Sequence, residues 1–126
     1  MRRRSLAFAL PVLLVAACAT QTTAPVTTVF FTEDSAALDA DAQAVVKQAA
    51  RRAAAATGPV TVAGFAGPVG GLAYNRALSE ARAQHVADQL AAEGVARSRI
   101  RIVPRGPVPY EAMPTESRRV EIRIGS

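Results

Sequence analysis

The stretch "VTVAGFAGPVGGLAYNRALSEARA", residues 60–83, decides the fold. Its first six residues, Val60–Phe65, are rich in β-branched and apolar side chains, which predicts a strand. A loop of glycine and proline follows, and Tyr74–Glu93 then has the composition of a helix that Gly94 ends. The loop carries no acid, histidine or hydroxyl before the tyrosine, so its capacity to bind a ligand is an open question.

Upstream of this stretch, a strand and a long helix are predicted. Val26–Phe31 is β-branched and aromatic, which favours a strand. The alanine-rich segment 33–58 predicts a helix that starts at Asp34 or Ser35 and stops at Gly58 and Pro59. Four small or β-branched residues recur there at helical spacing and predict a face packed on a sheet: Ala42, Val45, Ala49 and Ala53.

Downstream, two further strands are predicted. Arg99–Gly106 and Arg118–Ile124 alternate apolar with charged side chains, and a proline-broken connection separates them. The predicted order is therefore β-α-β-α-β-β. A two-layer α+β sandwich of about four strands, with two helices on one face, is the economical way to bury the apolar faces.

The N-terminus predicts an export signal. Three arginines precede an apolar run, Leu6–Ala17, which is too short to span a bilayer as a mature helix. The chain's only cysteine, Cys18, follows at once in Val15–Cys18, which resembles the bacterial lipobox. We predict a lipoprotein signal peptide at 1–17, an acylated cysteine and tether at 18–25, and a domain at 26–126. An ordinary signal peptide with an incidental cysteine is the alternative.

Acylation of Cys18 predicts a firm membrane anchor, because several fatty chains such as palmitate hold more strongly than one. Ala19 follows the cysteine in place of the aspartate associated with inner-membrane retention. This favours the outer membrane, with the domain in the periplasm.

Charge and composition exclude other function classes. The formal net charge of +5 falls to +2 without the three leader arginines, which is too mild for a nucleic-acid binder. His85 is the sole histidine, so a histidine-rich metal site is not expected. No Ser-His-Asp set, Cys-His pair or cofactor site is recognisable in the sequence either, and Cys18 is consumed by acylation. We predict that the protein is not an enzyme.

Arg82 stands out on the second helix. At about 100° per residue, Arg82 falls on the same face as Leu78, Val86 and Leu90. A guanidinium in an apolar face is costly unless it is paired, so a carboxylate from a ligand or from the protein is expected. The internal candidates for this carboxylate are Asp34, Glu80 and Glu116. Alternatively, the Arg82 side chain could reach water by snorkelling at the edge of the apolar face.

Several motifs together resemble the OmpA-like domain. "FFTEDSAAL" is similar to the family's entry into the first helix, and "YNRALSEARAQHVADQLAAEGV" is similar to its Asn-x-x-Leu-Ser-x-x-Arg-Ala helix. "RIRIVPRG" and "SRRVEIRI" resemble the last two strands. The resemblance covers residues 26–125, and it implies a module that holds the diaminopimelate of peptidoglycan stem peptides.

The resemblance also implies which residues would bind. The family's helix arginine falls on Arg82, its asparagine on Asn75, and its last-strand arginine on Arg118 or Arg119, of which at most one can face a groove. The family's Gly-His-Thr-Asp signature reads Gly-Phe-Ala-Gly here, so Gly67 stands where the ligand-gripping aspartate is expected.

Two functions therefore remain open. The first is an outer-membrane lipoprotein that binds peptidoglycan and tethers the envelope to the cell wall. The second is a degenerate scaffold that has lost this binding and contacts envelope proteins, with an exposed Phe65 in its apolar loop.

Overall fold

The structure, a computed structural model, describes residues 25–125. The predicted signal peptide, Cys18 and all but the last residue of the tether lie outside the described residues. The described part contains four strands and two main helices, which confirms the predicted α+β class and the order of elements. Among these residues, no helix combines the length and apolar character that crossing a membrane requires.

The strands and helices start and end close to their predicted limits, with one exception. The strands are β1 (Val26–Phe30), β2 (Val60–Ala66), β3 (Ile100–Pro107) and β4 (Arg119–Ile124). The helices are α1 (Ala40–Ala54) and α2 (Leu72–Ala92). Two short 3₁₀ turns, Arg97–Arg99 and Pro114–Ser117, precede the last two strands and were not predicted.

The exception is α1, for which both predicted limits were wrong. The helix ends at Ala54 rather than at Gly58, and neither Asp34 nor Ser35 is its N-cap. Asp39 caps the helix by accepting a 2.8 Å hydrogen bond from the backbone N–H of Ala42. Asp34 has a φ of 52°, which no helical residue adopts, and the Ser35 hydroxyl accepts from the N–H of Ala37. These local conformations compete with the helix, so it starts one turn later.

The four strands form one sheet in the order β1-β4-β2-β3. β4 is antiparallel to both of its neighbours, whereas β2 and β3 run parallel. The last strand along the chain is therefore an inner strand, and the first strand pairs only with it.

The core lies between the sheet and the two helices. Val29 pairs with Val120 and Val62 with Ile122, so these side chains share one sheet face, where all four are buried. α1 covers them with residues at helical spacing, although Val46 rather than the predicted Val45 is fully buried. The buried α1 residues are mostly alanines, which allow close packing on the sheet: Ala42, Ala49, Ala50 and Ala53.

β2 and α2 approach each other closely at Gly64. A Cβ built at this residue would overlap the backbone carbonyl oxygen of Ser79 and lie 2.9 Å from the Cβ of Ala83. Only glycine fits such a contact between strand and helix. The approach fixes the position of α2 against β2.

Arg99, which is distant in sequence, caps the C-terminal end of α1 with its side chain. Its guanidinium donates to the carbonyls of Ala53, Ala56 and Gly58 at 3.0–3.1 Å. The last carbonyls of a helix have no partner within the helix, and their partial negative charge favours a cation. Arg99 therefore stabilises this end of α1 through contacts that span more than forty residues of chain.

We expect Arg99→Ala to lower the free energy of unfolding by about 1.5–3 kcal/mol, since it removes hydrogen bonds from a charged donor. Urea unfolding followed by circular dichroism measures this change. Arg97→Ala is the matched control, because Arg97 sits in the same 3₁₀ turn and makes only an exposed ion pair with Asp88, worth about 0–1 kcal/mol. Equal losses in the two variants would contradict this role for Arg99.

Candidate functional site

A cavity of about 230 Å³ opens where three connections meet. These are the turn after β1, the glycine-rich loop between β2 and α2, and the segment that precedes β4. Pockets for drug-sized ligands measure about 300–1,000 Å³, so this cavity suits a ligand of amino-acid size. The lining combines charged, polar and apolar residues: Glu33, Asp34, Gly67, Pro68, Val69, Asn75, Leu78, Arg82, Tyr110, Pro114, Ser117 and Arg118.

Arg82 lines this cavity and is 1% exposed. Its Nε donates to the carbonyl of Ser35 at 2.8 Å, and its two terminal nitrogens donate to the carbonyls of Thr32 and Phe65 at 3.1 Å. The guanidinium also stacks over the Phe31 ring at 5.3 Å. Arg82 thereby links α2 to the turn after β1 and to the end of β2.

The helical wheel correctly placed Arg82 on the buried face, but the expected internal carboxylate is not its partner. Three backbone carbonyls take that place, and none of the ion pairs within residues 25–125 involves Arg82. Of the five N–H groups of a guanidinium, three are used in these bonds. Burial lowers the pKa of Arg82, the positive charge of Arg118 lowers it further, and Asp34 acts in the opposite direction.

Arg118 and Arg119 lie next to each other at the start of β4, but their side chains have different surroundings. Arg118 lines the cavity, and its closest ion-pair contact is a loose 3.9 Å approach to Glu33. Arg119 does not line the cavity. It donates to Glu121 and to the Glu116 carbonyl, and it lies 4.1 Å from the centre of the Phe65 ring. Arg119 is therefore not a cavity residue, which corrects its inclusion among the candidates.

Phe65 is not the exposed contact residue that the sequence predicted. It is 9% exposed, and the guanidinium of Arg119 covers its ring. β2 carries an irregularity between Gly64 and Phe65, where its register with β3 shifts. Phe65 is not among the residues that line the cavity, so it leaves the cavity open.

Asn75 and the glycines shape the wall formed by the loop before α2. The Asn75 side chain is 4% exposed and donates to the Val69 carbonyl at 2.9 Å, which holds the loop against the first turn of the helix. Gly70 has a φ of 105°, a left-handed conformation that favours glycine. Gly67 faces the cavity with no side chain.

Two carboxylates that were not assigned to the site line it as well. Glu33 and Asp34 occupy the turn after β1, which the hydrogen bond from the Ser35 N–H to the Thr32 carbonyl closes. Asp34 accepts a long, 3.4 Å hydrogen bond from the Tyr74 hydroxyl. The motif "FFTEDSAAL" contains both acids, but reading it as the start of a helix concealed their position at the cavity.

His85 lies apart from the cavity. It is exposed, and its Nδ1 donates to the Ala36 carbonyl at 2.6 Å. Within residues 25–125, no group of three or more histidine, cysteine and acidic residues could hold a metal ion.

Comparisons with known proteins agree with this architecture. The sequence model of the OmpA family matches residues 30–120. The peptidoglycan-associated lipoprotein from Burkholderia pseudomallei is 25% identical, with a TM-score of 0.70 over 77% of this chain and 88% of that one. The cell wall anchor of the T6SS from Pseudomonas aeruginosa is 30% identical, with a TM-score of 0.65 over 80% of each chain.

A further likeness concerns the fold alone. The C-terminal domain of Helicobacter pylori MotB is 19% identical, with a TM-score of 0.69 over 79% of this chain and 84% of that one. A search of curated proteins gave no significant match.

Proposed function

Because this chain belongs to the OmpA family, we propose that it binds peptidoglycan non-covalently and tethers the cell envelope to the wall, without catalysis. The ligand is the diaminopimelate of the stem peptide. The observation that carries the proposal is a cavity of amino-acid size with two arginines, Arg82 and Arg118, in its lining. Two similar proteins, a peptidoglycan-associated lipoprotein and a cell wall anchor, support it.

The two arginines have different roles in binding a carboxylate of the ligand. Arg82 is buried and fixed by its carbonyl partners, so it supplies a rigid positive charge at the end of the cavity. Arg118 is more accessible, with its side chain 24% exposed and only one loose ionic contact. A guanidinium binds a carboxylate through two parallel hydrogen bonds, and Arg118 is free to turn one such edge toward a ligand.

The anchoring part of the proposal rests on the sequence. Export, cleavage and acylation at Cys18 would fix the domain to the inner leaflet of the outer membrane, and residues 19–25 would act as the tether. A domain held near a wall that carries many stem peptides meets them at a high effective concentration. Modest affinity for one stem peptide is then sufficient for tethering.

Arg118→Gln is expected to reduce binding to sacculi that contain diaminopimelate by about 10-fold or more, since a hydrogen bond to a charged group contributes about 1.5–3 kcal/mol. Co-sedimentation of the purified full chain measures the loss. Arg123→Gln is the matched control, because Arg123 lies on β4, which Arg118 directly precedes, is exposed, and pairs with Glu121 away from the cavity.

The same measurement can refute the proposal. Absence of sedimentation with the unmodified chain would exclude a wall ligand. Equal losses for Arg118→Gln and Arg123→Gln would show that general positive charge, rather than the cavity, holds the wall polymer.

A second candidate, a scaffold that contacts envelope proteins, is favoured by one observation. Exposed apolar side chains lie on the loop before α2, at the start of α2 and on the segment before β4: Val69 by 82%, Leu72 by 55% and Met113 by 61%. Clusters of exposed apolar residues often mark protein interaction sites. This candidate predicts no binding to purified sacculi, so the co-sedimentation experiment separates the two functions.

A further inference from the structure

We infer that Asp34 holds the ammonium group of the ligand, in place of the carboxylate that is missing at Gly67. This inference rests on the proposed function, since it concerns the same cavity. It assigns the negative end of the site to the turn after β1 rather than to the loop after β2.

The cavity lining carries both positive and negative side chains. Its lining contains two cations, Arg82 and Arg118, and two carboxylates, Glu33 and Asp34. A ligand with an ammonium and a carboxylate on the same carbon needs both signs of charge within a few ångströms. The cavity therefore has the charges that recognise an amino-acid end, even though the loop after β2 contributes none of them.

The loop wall cannot supply the negative charge. A Cβ built at Gly67 would meet only the Ser117 hydroxyl within 4 Å, at 3.3 Å. The Ser117 hydroxyl already donates to the Pro114 carbonyl at 2.8 Å. Glu33 and Asp34, in the turn after β1, are therefore the only carboxylates among the described residues that line the cavity.

The backbone of Asp34 sets it apart from Glu33. Its φ of 52° is the only positive value among the non-glycine residues described in the structure. Asp34 is the third residue of a turn that requires a positive φ at this position, where glycine and asparagine are preferred and aspartate is tolerated. An aspartate here therefore satisfies the turn and also adds a carboxylate to the cavity lining.

The two acids also differ in their partners. The Tyr74 hydroxyl donates to Asp34, which orients its carboxylate from the first turn of α2. Glu33 is 77% exposed and lies 3.9 Å from Arg118. A ligand carboxylate that binds Arg118 would replace Glu33, whereas a ligand ammonium would add to the contacts of Asp34.

Adjacent acids with opposite expectations allow a sharp test. Asp34→Asn keeps the shape of the side chain and the tolerance for a positive φ, and it removes only the charge. We expect it to weaken binding of a soluble stem peptide that ends in meso-diaminopimelate by about 5- to 15-fold, between an exposed ion pair and a charged hydrogen bond. Glu33→Gln makes the same change of charge one residue away, and we expect binding equal to or tighter than that of the unmodified chain.

A matching change in the ligand tests whether Asp34 and the ammonium group are coupled. Acetylating the free amino group of the diaminopimelate removes the ammonium, so the unmodified chain should lose the same factor as it does in Asp34→Asn. The Asp34→Asn variant should bind both forms of the peptide equally, because coupled partners do not give additive losses. Isothermal titration with the purified full chain and a monovalent peptide avoids the effect of many wall sites.

A rescue variant completes the design. Gly67→Asp in the Asp34→Asn background returns a carboxylate to the opposite wall, and the new Cβ requires Ser117 to move by only a few tenths of an ångström. We expect it to restore affinity for the peptide with a free ammonium and not for the acetylated one.

The outcomes separate the two proposals. If the unmodified chain binds neither sacculi nor peptide, the proposed function fails and this inference fails with it. If the chain binds but Asp34→Asn and Glu33→Gln weaken binding equally, or acetylation of the ligand has no effect, the inference about Asp34 is overturned and the proposed function stands.

Discussion

Replacing Gly64 with alanine is expected to lower the free energy of unfolding by about 3 kcal/mol or more, at or above the upper end of the cost of overpacking a core. The new Cβ would overlap the backbone carbonyl of Ser79, and backbone atoms cannot rotate away as a side chain can. α2 would have to move away from β2, which would loosen its packing over the whole core. In a domain of about 100 residues this corresponds to a fall in melting temperature of about 12–24 °C, measurable by thermal unfolding.

Gly71→Ala is the control for this prediction. A Cβ at Gly71 would have its nearest neighbour, the Cβ of Tyr74, at 4.0 Å, so alanine meets no obstacle there. Its expected cost is within about 1 kcal/mol, from the weaker N-cap preference of alanine alone. A Gly64→Ala variant that melts within a few degrees of the unmodified chain would show that the strand and helix can separate at little cost.

Arg82→Ala is expected to cost about 3–5 kcal/mol, the range found when one partner of a buried charged contact is removed. Three carbonyls, those of Thr32, Ser35 and Phe65, would lose their donor at once. The turn after β1 would then be held to α2 by weaker contacts, so its amide protons should exchange faster. Chemical denaturation gives the loss of stability, and hydrogen exchange locates it.

Two further variants serve as a conservative replacement and a control for Arg82→Ala. Arg82→Lys keeps the charge, but a single ammonium cannot reproduce the planar fork that reaches three carbonyls, so we expect most of the loss to remain. Arg76→Ala, an exposed arginine on the same helix, should change stability by less than about 0.5 kcal/mol. A stable Arg82→Ala variant with an unchanged exchange pattern would contradict the structural role of Arg82.

This role affects how binding should be tested. Loss of wall binding in Arg82→Ala would follow from a displaced turn as readily as from a lost ligand contact, because Arg82 holds the turn that carries Glu33 and Asp34. Arg118, Glu33 and Asp34 are better sites for testing recognition, since their side chains reach the cavity without supporting the core.

Much of the fold could be predicted from the sequence, because the spacing of apolar residues and the local composition indicate strands and helices directly. The alternation in Arg118–Ile124 and the β-branched run at Val60 mark strands that the structure contains within one or two residues. The start of α1 was missed because Asp34, Ser35 and Asp39 are all good N-caps by residue type. The left-handed φ of Asp34 and the hydrogen bond from the Ala37 N–H to the Ser35 hydroxyl are not visible in residue type.

The site could be predicted only in part. The burial of Arg82 followed from its helical spacing, but its partners are carbonyls 17, 47 and 50 residues away in the chain, and carbonyl directions leave no trace in a sequence. The arginine that faces the cavity could not be chosen between Arg118 and Arg119 from alternation alone. The position of Phe65 followed from the local shift in the β2 register, which residue pattern does not reveal.

The place of β4 in the sheet has a consequence for how the chain acquires its structure during synthesis. β4 lies between β1 and β2, so residues 26–118 contain two separate parts of the sheet with no strand to join them. β1 stays without a pairing partner until Arg119–Ile124 has left the ribosome and inserted between the two parts. A nascent chain therefore cannot complete this sheet until β4 has been synthesised.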